Sequence, residues 1–246
     1  MTSDFFTFAA IGFAAQLVDG TIGMAYGVVS TTALLSAGMS PLSATANIHF
    51  AELVTGGLSG LFHARRRQVS WSLVWRLAVT GCLGASIGAL LLVGFAPRFV
   101  EMSRRVIASY LLLLGLWLCW RAGSRSTPIA DASGRAPALG FAGGLFDAAG
   151  AGWGPIVTSN LMIAGVAPKV AIGSSIVAEF FVTTVHVVVF AGIGGLRPEI
   201  AMAGLLAGGV LAAPLGPALA ARPPAKVVIF LVGLGVVVAS AFLIVR

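Results

Sequence analysis

Apolar stretches of 20 or more residues follow one another along almost the whole chain, parted by short basic or Pro/Gly-containing turns. As helices, runs of that length match the hydrocarbon thickness of a bilayer. The first segment, Phe5 to Ala37, would be about 50 Å long as one helix, too long for a simple crossing, and Asp19-Gly20 with Gly23 and Gly27 interrupts it. Pro41 to His63 comes next, with Ser40 placed to cap and Pro41 suited to a first helical position. Trp71 to Phe95 and Val100 to Trp120 complete a first set. After a polar stretch the order returns: a broken Ala138 to Ala164, then Pro168 to Gly192, Pro198 to Ala221 and Lys226 to Val245. The pattern predicts an all-α integral membrane protein with about eight hydrophobic segments.

The return is a duplication. Gly27, Gly38, Pro41 and Glu52 of the first half align at a shift of 127 residues with Gly154, Gly165, Pro168 and Glu179 of the second, and Asp19 and Asp147 align with one gap. The expected organisation is a first repeat over 1–121, a linker over 122–137 and a second repeat over 138–246. Within the third segment of each half, Gly81, Ala85 and Ala89 align with Gly208, Ala212 and Gly216. Small residues four apart let helices approach closely in lipid.

Full crossing of the broken segments gives parallel halves, and re-entrant hairpins give inverted ones. Full crossing divides the basic residues nine against six. The re-entrant reading divides them ten against five, gathering Arg65, Arg66, Arg67, Arg76, Arg121, Arg125, Arg135, Lys169, Arg222 and Lys226 on one side. The second split is the cleaner asymmetry and favours inverted repeats. Trp71, Trp75, Trp117 and Trp120 beside the arginine loops read as interfacial anchors.

Composition agrees. The chain is 58% hydrophobic and 9% charged, with a mean hydropathy of +1.01, so few charges remain to solvate a globular surface. The net charge of +7 therefore points to topology and not to nucleic acid. Cys82 and Cys119 lie inside apolar runs and read as small packing residues. Met-Thr-Ser-Asp-Phe-Phe at the N-terminus has no basic region or cleavage site of a secretory signal. Without a Walker A sequence, transport would be secondary.

Of eight acidic residues, Asp19, Glu52, Asp147 and Glu179 lie inside apolar segments. An ionisable group there is costly and normally faces a cavity or a partner. Glu52 and Glu179 each follow a helix-starting Pro by eleven residues, roughly 16 Å along the axis. That is near the middle of a core about 30 Å thick, where repeat-built transporters hold solute and coupling ions. Helical spacing puts Ser175, Thr183 and His186 on the face of Glu179, and Thr45, His49, Thr55, Ser59 and His63 on that of Glu52. Such a stripe suits a hydrated proton path, or a hydrogen bond between helices. Asp19 and Asp147 either cap the half-helix after each break or hold a proton or cation there. The breaks, Gly20/Gly23/Gly27 and Gly150/Gly152/Gly154, would offer backbone N–H groups to an anion. Tyr26 and Trp153 flank them, to close over a solute or simply to pack. His49, His63 and His186 show no metal-ligand spacing with the cysteines, so neither metal nor cofactor is expected.

These residues resemble the TauE/SafE family of sulfite-exporter-like permeases, the toluenesulfonate uptake group. The resemblance is carried by Gly143 to Pro155 (Gly-Gly-Leu-Phe-Asp-Ala-Ala-Gly-Ala-Gly-Trp-Gly-Pro), Ile172 to Thr183 and, in the first half, Gln16 to Gly27. It implies a secondary permease moving small anionic sulfur compounds, such as sulfite or organosulfonates, across the bacterial cytoplasmic membrane. Its partners would be the lipid bilayer, the anion and protons. Carried over, the site comprises Asp19, Glu52, Asp147, Glu179 and the two Gly blocks. One departure is Ala149-Gly150-Ala151-Gly152, where members often have a longer glycine run.

Two rival classes compete. A passive anion channel would conduct without coupling. Gly57-Leu58-Ser59-Gly60 fits the pattern of rhomboid-like intramembrane serine proteases, with His186 as base, but that reading leaves the duplication unexplained. The expectation is a transporter and not an enzyme.

Overall fold

The computed structural model describes residues 2–98, 100–123, 132–193, 199–220 and 225–245, and within these every regular element is helical. The broken first segment is α1 (Thr2–Ile22) and α2 (Tyr26–Ser36), followed by α3 (Pro41–Arg65), α4 (Trp71–Phe95) and α5 (Val100–Gly123). The second broken segment is α6 (Ala132–Asp147), a π-helical turn at Gly154–Thr158 and α7 (Ser159–Ile163). Then come α8 (Pro168–Gly192), α9 (Ile200–Ala212), the short α10 (Gly216–Leu219) and α11 (Ala225–Val245).

Among the described residues, four helices are long and apolar enough to cross a membrane: Asp4–Ile22, Trp71–Phe95, Val100–Gly123 and Pro168–Gly192. The stretch expected as a linker is helical at both ends, since α5 reaches Gly123 and α6 begins at Ala132 with Pro137 inside it. Its middle, 124–131 with Arg125, lies outside the described residues, as do Arg197, Pro198 and Arg222.

Local chemistry sets the boundaries. Pro41 and Pro168 start α3 and α8, and the Ser40 hydroxyl accepts from the Ser43 N–H at 3.3 Å. The preceding turns pass through Gly38 and Gly165 with φ of 91° and 85°, backbone that side chains rarely adopt.

Packing is reciprocal across the chain. The third helix of each set lies along the first of the other, α4 on α6 and α9 on α1, while α5 packs on α11 and α3 on α8. The contacts of α4 with α6 and of α9 with α1 bring backbone against backbone. A Cβ at Gly84 would collide with the Phe141 carbonyl, one at Gly144 with that of Gly81, and one at Gly208 with that of Ala9. Apolar side chains such as Leu83, Leu90, Leu113 and Val238 instead face outward and are exposed, as lipid requires. The polar stripe faces inward: Thr45, His49, Glu52, Thr55, Ser59 and His63 of α3 are buried, as are Ser175, Thr183 and His186 of α8.

A paired substitution tests this. Gly84→Ala meets the Phe141 carbonyl, whereas a Cβ at Gly94 of the same helix meets nothing within 4 Å. Gly84→Ala is expected to destabilise by about 1–3 kcal/mol and Gly94→Ala to be neutral, read as thermal unfolding in detergent. Equal stability of the two would refute close backbone packing of α4 on α6.

Candidate functional site

The site is built where two helices stop. After Ile22 the chain turns through Gly23 (φ 78°), and after Asp147 through Gly150 (φ 83°). The two turns meet. A Cβ at Gly27 would lie 2.6 Å from the Gly150 carbonyl oxygen, and one at Gly154 would lie 2.6 Å from that of Gly23. Only glycine lets main chain touch main chain here.

An interrupted helix leaves polar backbone groups that lipid cannot satisfy. The Asp19 Oδ1 accepts from the N–H groups of Ala25 (3.0 Å) and Tyr26 (3.4 Å). The Asp147 Oδ1 accepts from Gly152 and Trp153, both at 3.1 Å. Of the two readings the sequence left open for these aspartates, the geometry places both as caps. These bonds occupy the N–H groups of Ala25, Tyr26, Gly152 and Trp153 with a carboxylate. Freed carbonyls are served from α2, α3 and α5: His49 Nε2–H donates to Asp147 O (3.1 Å), His63 Nε2–H to Gly20 O (3.2 Å), Thr31 Oγ1 to Gly150 O (2.6 Å) and Tyr110 Oη to Ala151 O.

Between the breaks lies a cavity lined by Asp19, Gly27, Asp147, Gly152, Trp153, Gly154 and Glu179, together with Met24, Ala25, Val28, Ala151 and Pro155. It encloses about 10 Å³, the room of a single water. A solute of several heavy atoms does not fit in that volume.

Other residues expected at the site stand behind this lining. Gly20 packs on Gly216, Gly23 on Thr158 and Gly150 on Thr31. Tyr26 is buried. Trp153 is fixed, its Nε1–H donating to Ser175 O (3.1 Å) and Oγ (3.0 Å), with Thr158 donating to the same hydroxyl at 2.7 Å. Ser175 is therefore a support for the tryptophan ring.

Glu52 and Glu179 stand at matching depths on α3 and α8, and Glu52, Asp147 and Glu179 each offer an oxygen within 4.8 Å of the others. At an effective dielectric of about 20, each pair of bare charges at that range repels by roughly 3 kcal/mol. The cavity lining contains no lysine or arginine, so protons or a cation must offset them. Glu52 Oε2 faces His49 Nδ1 at 3.4 Å. Asp147 Oδ2 faces His186 Nδ1 at 3.7 Å, and the two imidazoles stack with centroids 4.2 Å apart. His186 shares a helix face with Glu179, but its ring reaches across to Asp147 of α6. Among the described residues Glu179 makes no hydrogen bond or ion pair. Ser59 Oγ likewise has no hydrogen-bond partner, so no base addresses it as a protease nucleophile.

A family model described as "Sulfite exporter TauE/SafE" matches residues 8–243. The chain belongs to the TauE/SafE sulfite exporter family. It is similar to the probable membrane transporter protein YtnM of Bacillus subtilis (strain 168), being 34% identical over 218 residues that cover 85% of this chain and 72% of that protein. No solved structure matches. Family and relative together mark a multi-pass membrane transporter rather than an enzyme.

The capping role of Asp19 is separable from its charge. Asp19→Asn keeps an oxygen for the Ala25 and Tyr26 N–H groups, whereas Asp19→Ala loses it. The alanine variant is expected to lose about 0.5–2 kcal/mol and the asparagine variant much less, read as thermal unfolding in nanodiscs. Equal losses would mean that the charge, not the cap, holds the turn.

Proposed function

We propose that this TauE/SafE member is a secondary transporter of the bacterial cytoplasmic membrane. It carries a small sulfur oxyanion such as sulfite or an organosulfonate, coupled to protons, with two inverted repeats moving around the central cavity. The observation that carries the reading is the convergence of three intramembrane carboxylates, Asp19, Asp147 and Glu179, on one small cavity formed where two broken helices meet, with a Glu52 oxygen within 4.8 Å of those of Asp147 and Glu179. Intramembrane acids of this kind serve solute and proton pathways.

Reciprocal packing supports the repeats. Each half lends its first helix to the third helix of the other, so the halves interlock around α3 and α8. Two carboxylates are tied as caps and one faces an imidazole, which leaves Glu179 as the free acid at the cavity and the group that exchanges a proton during the cycle. An anion entering beside these acids is tolerated only when their charge is offset, which couples its binding to cation binding. A cavity with room for only about one water favours a carrier over a permanently open channel.

Sulfite efflux from proteoliposomes, with and without an imposed pH gradient, tests the reading. Wild type is expected to show gradient-stimulated flux, and Glu179→Gln is expected to lose the stimulation. Absence of sulfite flux in folded protein would remove sulfite and turn the assay to sulfonates. Flux indifferent to the gradient would identify a channel, and unchanged coupling in the variant would return Glu179 to a packing role.

A further inference from the structure

We propose that the groove between α3, α8 and the start of α4 seats one anionic phospholipid, with an acyl chain in the groove and the phosphate on the arginines of the α3–α4 turn. The groove has a volume of about 190 Å³ and is lined by Leu61 and Ala64 of α3, Trp71 of α4, and Val177, Phe180 and Phe181 of α8. Leu61, Trp71 and Phe180 are exposed, so the groove is a recess in an apolar surface. Its depth comes from Gly57 and Gly60, where a Cβ would lie 2.9 Å from the Phe180 ring and 3.2 Å from Val177. Every lining side chain is apolar, which suits a stretch of acyl chain and not a headgroup.

The groove ends where the positive charge begins. Ala64 and Trp71 both belong to the lining, and the chain between them carries Arg65, Arg66 and Arg67, all exposed. α8 runs antiparallel to α3, which brings the exposed Lys169 to the same end: one turn beyond it, a Cβ at Gly173 would meet the Gln68 carbonyl. No Asp or Glu occurs in 53–100 or in 148–178. Among the described residues, Arg65, Arg66, Arg67 and Lys169 make no ion pair. Charge left uncompensated by the protein matches a phosphate, which guanidinium groups bind bidentately. Basic pockets between membrane helices hold lipid headgroups in this way. The exposed Trp71 and Trp75 set the depth, since tryptophans gather at headgroup level.

The bias of basic residues to one side of a membrane accounts for arginines here, but not for their arrangement. Among the described residues Arg67 is the only non-glycine with a positive φ, at 56°, a conformation that favours glycine. At the 127-residue shift Arg65-Arg66-Arg67 corresponds to Gly192-Ile193-Gly194. The second repeat therefore has glycine at that position and no charge, while the first keeps a third arginine against the backbone preference. One site per chain follows. A second copy of the chain is a poorer occupant, because a two-fold pair across the groove would bring two cationic clusters together.

The groove follows the seam of α3 and α8, the helices of Glu52 and Glu179, so a seated lipid bridges the two halves. Its bearing on transport rests on the transport reading; the lipid site does not.

Native mass spectrometry of delipidated full-length protein in detergent, titrated with phosphatidylglycerol or phosphatidylcholine of equal chain length, is the test. Phosphatidylglycerol is expected to saturate at one molecule per chain and to bind roughly tenfold tighter than phosphatidylcholine. Replacing all three residues (Arg65→Gln, Arg66→Gln, Arg67→Gln) should erase that preference, whereas Arg98→Gln, beyond the far end of α4, should keep it. Trp71→Ala should weaken phosphatidylglycerol binding several-fold. Should the triple variant fail to fold, Arg66→Gln carries the test with a smaller loss. Equal binding of the two lipids, a preference that survives in the folded variant, or an equal loss in Arg98→Gln would overturn the proposal. Glycerophosphoglycerol binding as tightly as the intact lipid would also overturn it, since no acyl chain would then be seated. Lipid preference without sulfite flux would leave the site standing and remove only the transported substrate.

Discussion

Two helices end inside the membrane against each other, and the remainder of the structure answers that constraint. Lipid offers nothing to the backbone groups released when α1 stops at Ile22 and α6 at Asp147. The turns survive because they are pressed together through Gly27 on Gly150 and Gly154 on Gly23. Aspartates at the end of each first helix take the exposed N–H groups, and histidines of α3 take carbonyls. Removing the glycines would part the turns, and parting the turns would strand the polar groups.

The histidines illustrate how one need generates another. His49 satisfies Asp147 O with one nitrogen and is thereby forced to present the other to Glu52. His186, brought over from α8, presents Nδ1 to the free oxygen of Asp147 at 3.7 Å, with no hydrogen bond at either nitrogen. A support for broken backbone thus becomes a cluster of unsatisfied donor atoms next to the cavity. Structural and chemical roles are carried here by the same side chains.

The cavity between the breaks is small. The space between Asp19, Asp147 and Glu179 has room for about one water. Contacts at Gly84, Gly144 and Gly208 bring helix backbones directly together, while Gly81 faces the Val182 and Trp153 side chains.

Hydropathy and punctuation carried much of this in the sequence. Pro41, Trp71 and Pro168 start helices where the pattern placed them, and the interruptions at Gly23 and Gly150 are where it set the breaks. Those features are local: a helix's length, its first-turn proline and a glycine's allowed φ depend on few neighbours. The mid-helix depth of Glu52 and Glu179 was equally legible, being a count from a helix start. Tertiary structure alone decided who meets whom. Asp147 meeting His49 and His186, Trp153 resting on Ser175, and the capture of the break N–H groups by aspartates join residues on separate helices or across a turn whose path spacing does not specify. Helical periodicity gives the face on which a residue sits. The neighbour it finds there is set by how the helices pack, and that packing is a property of the whole chain.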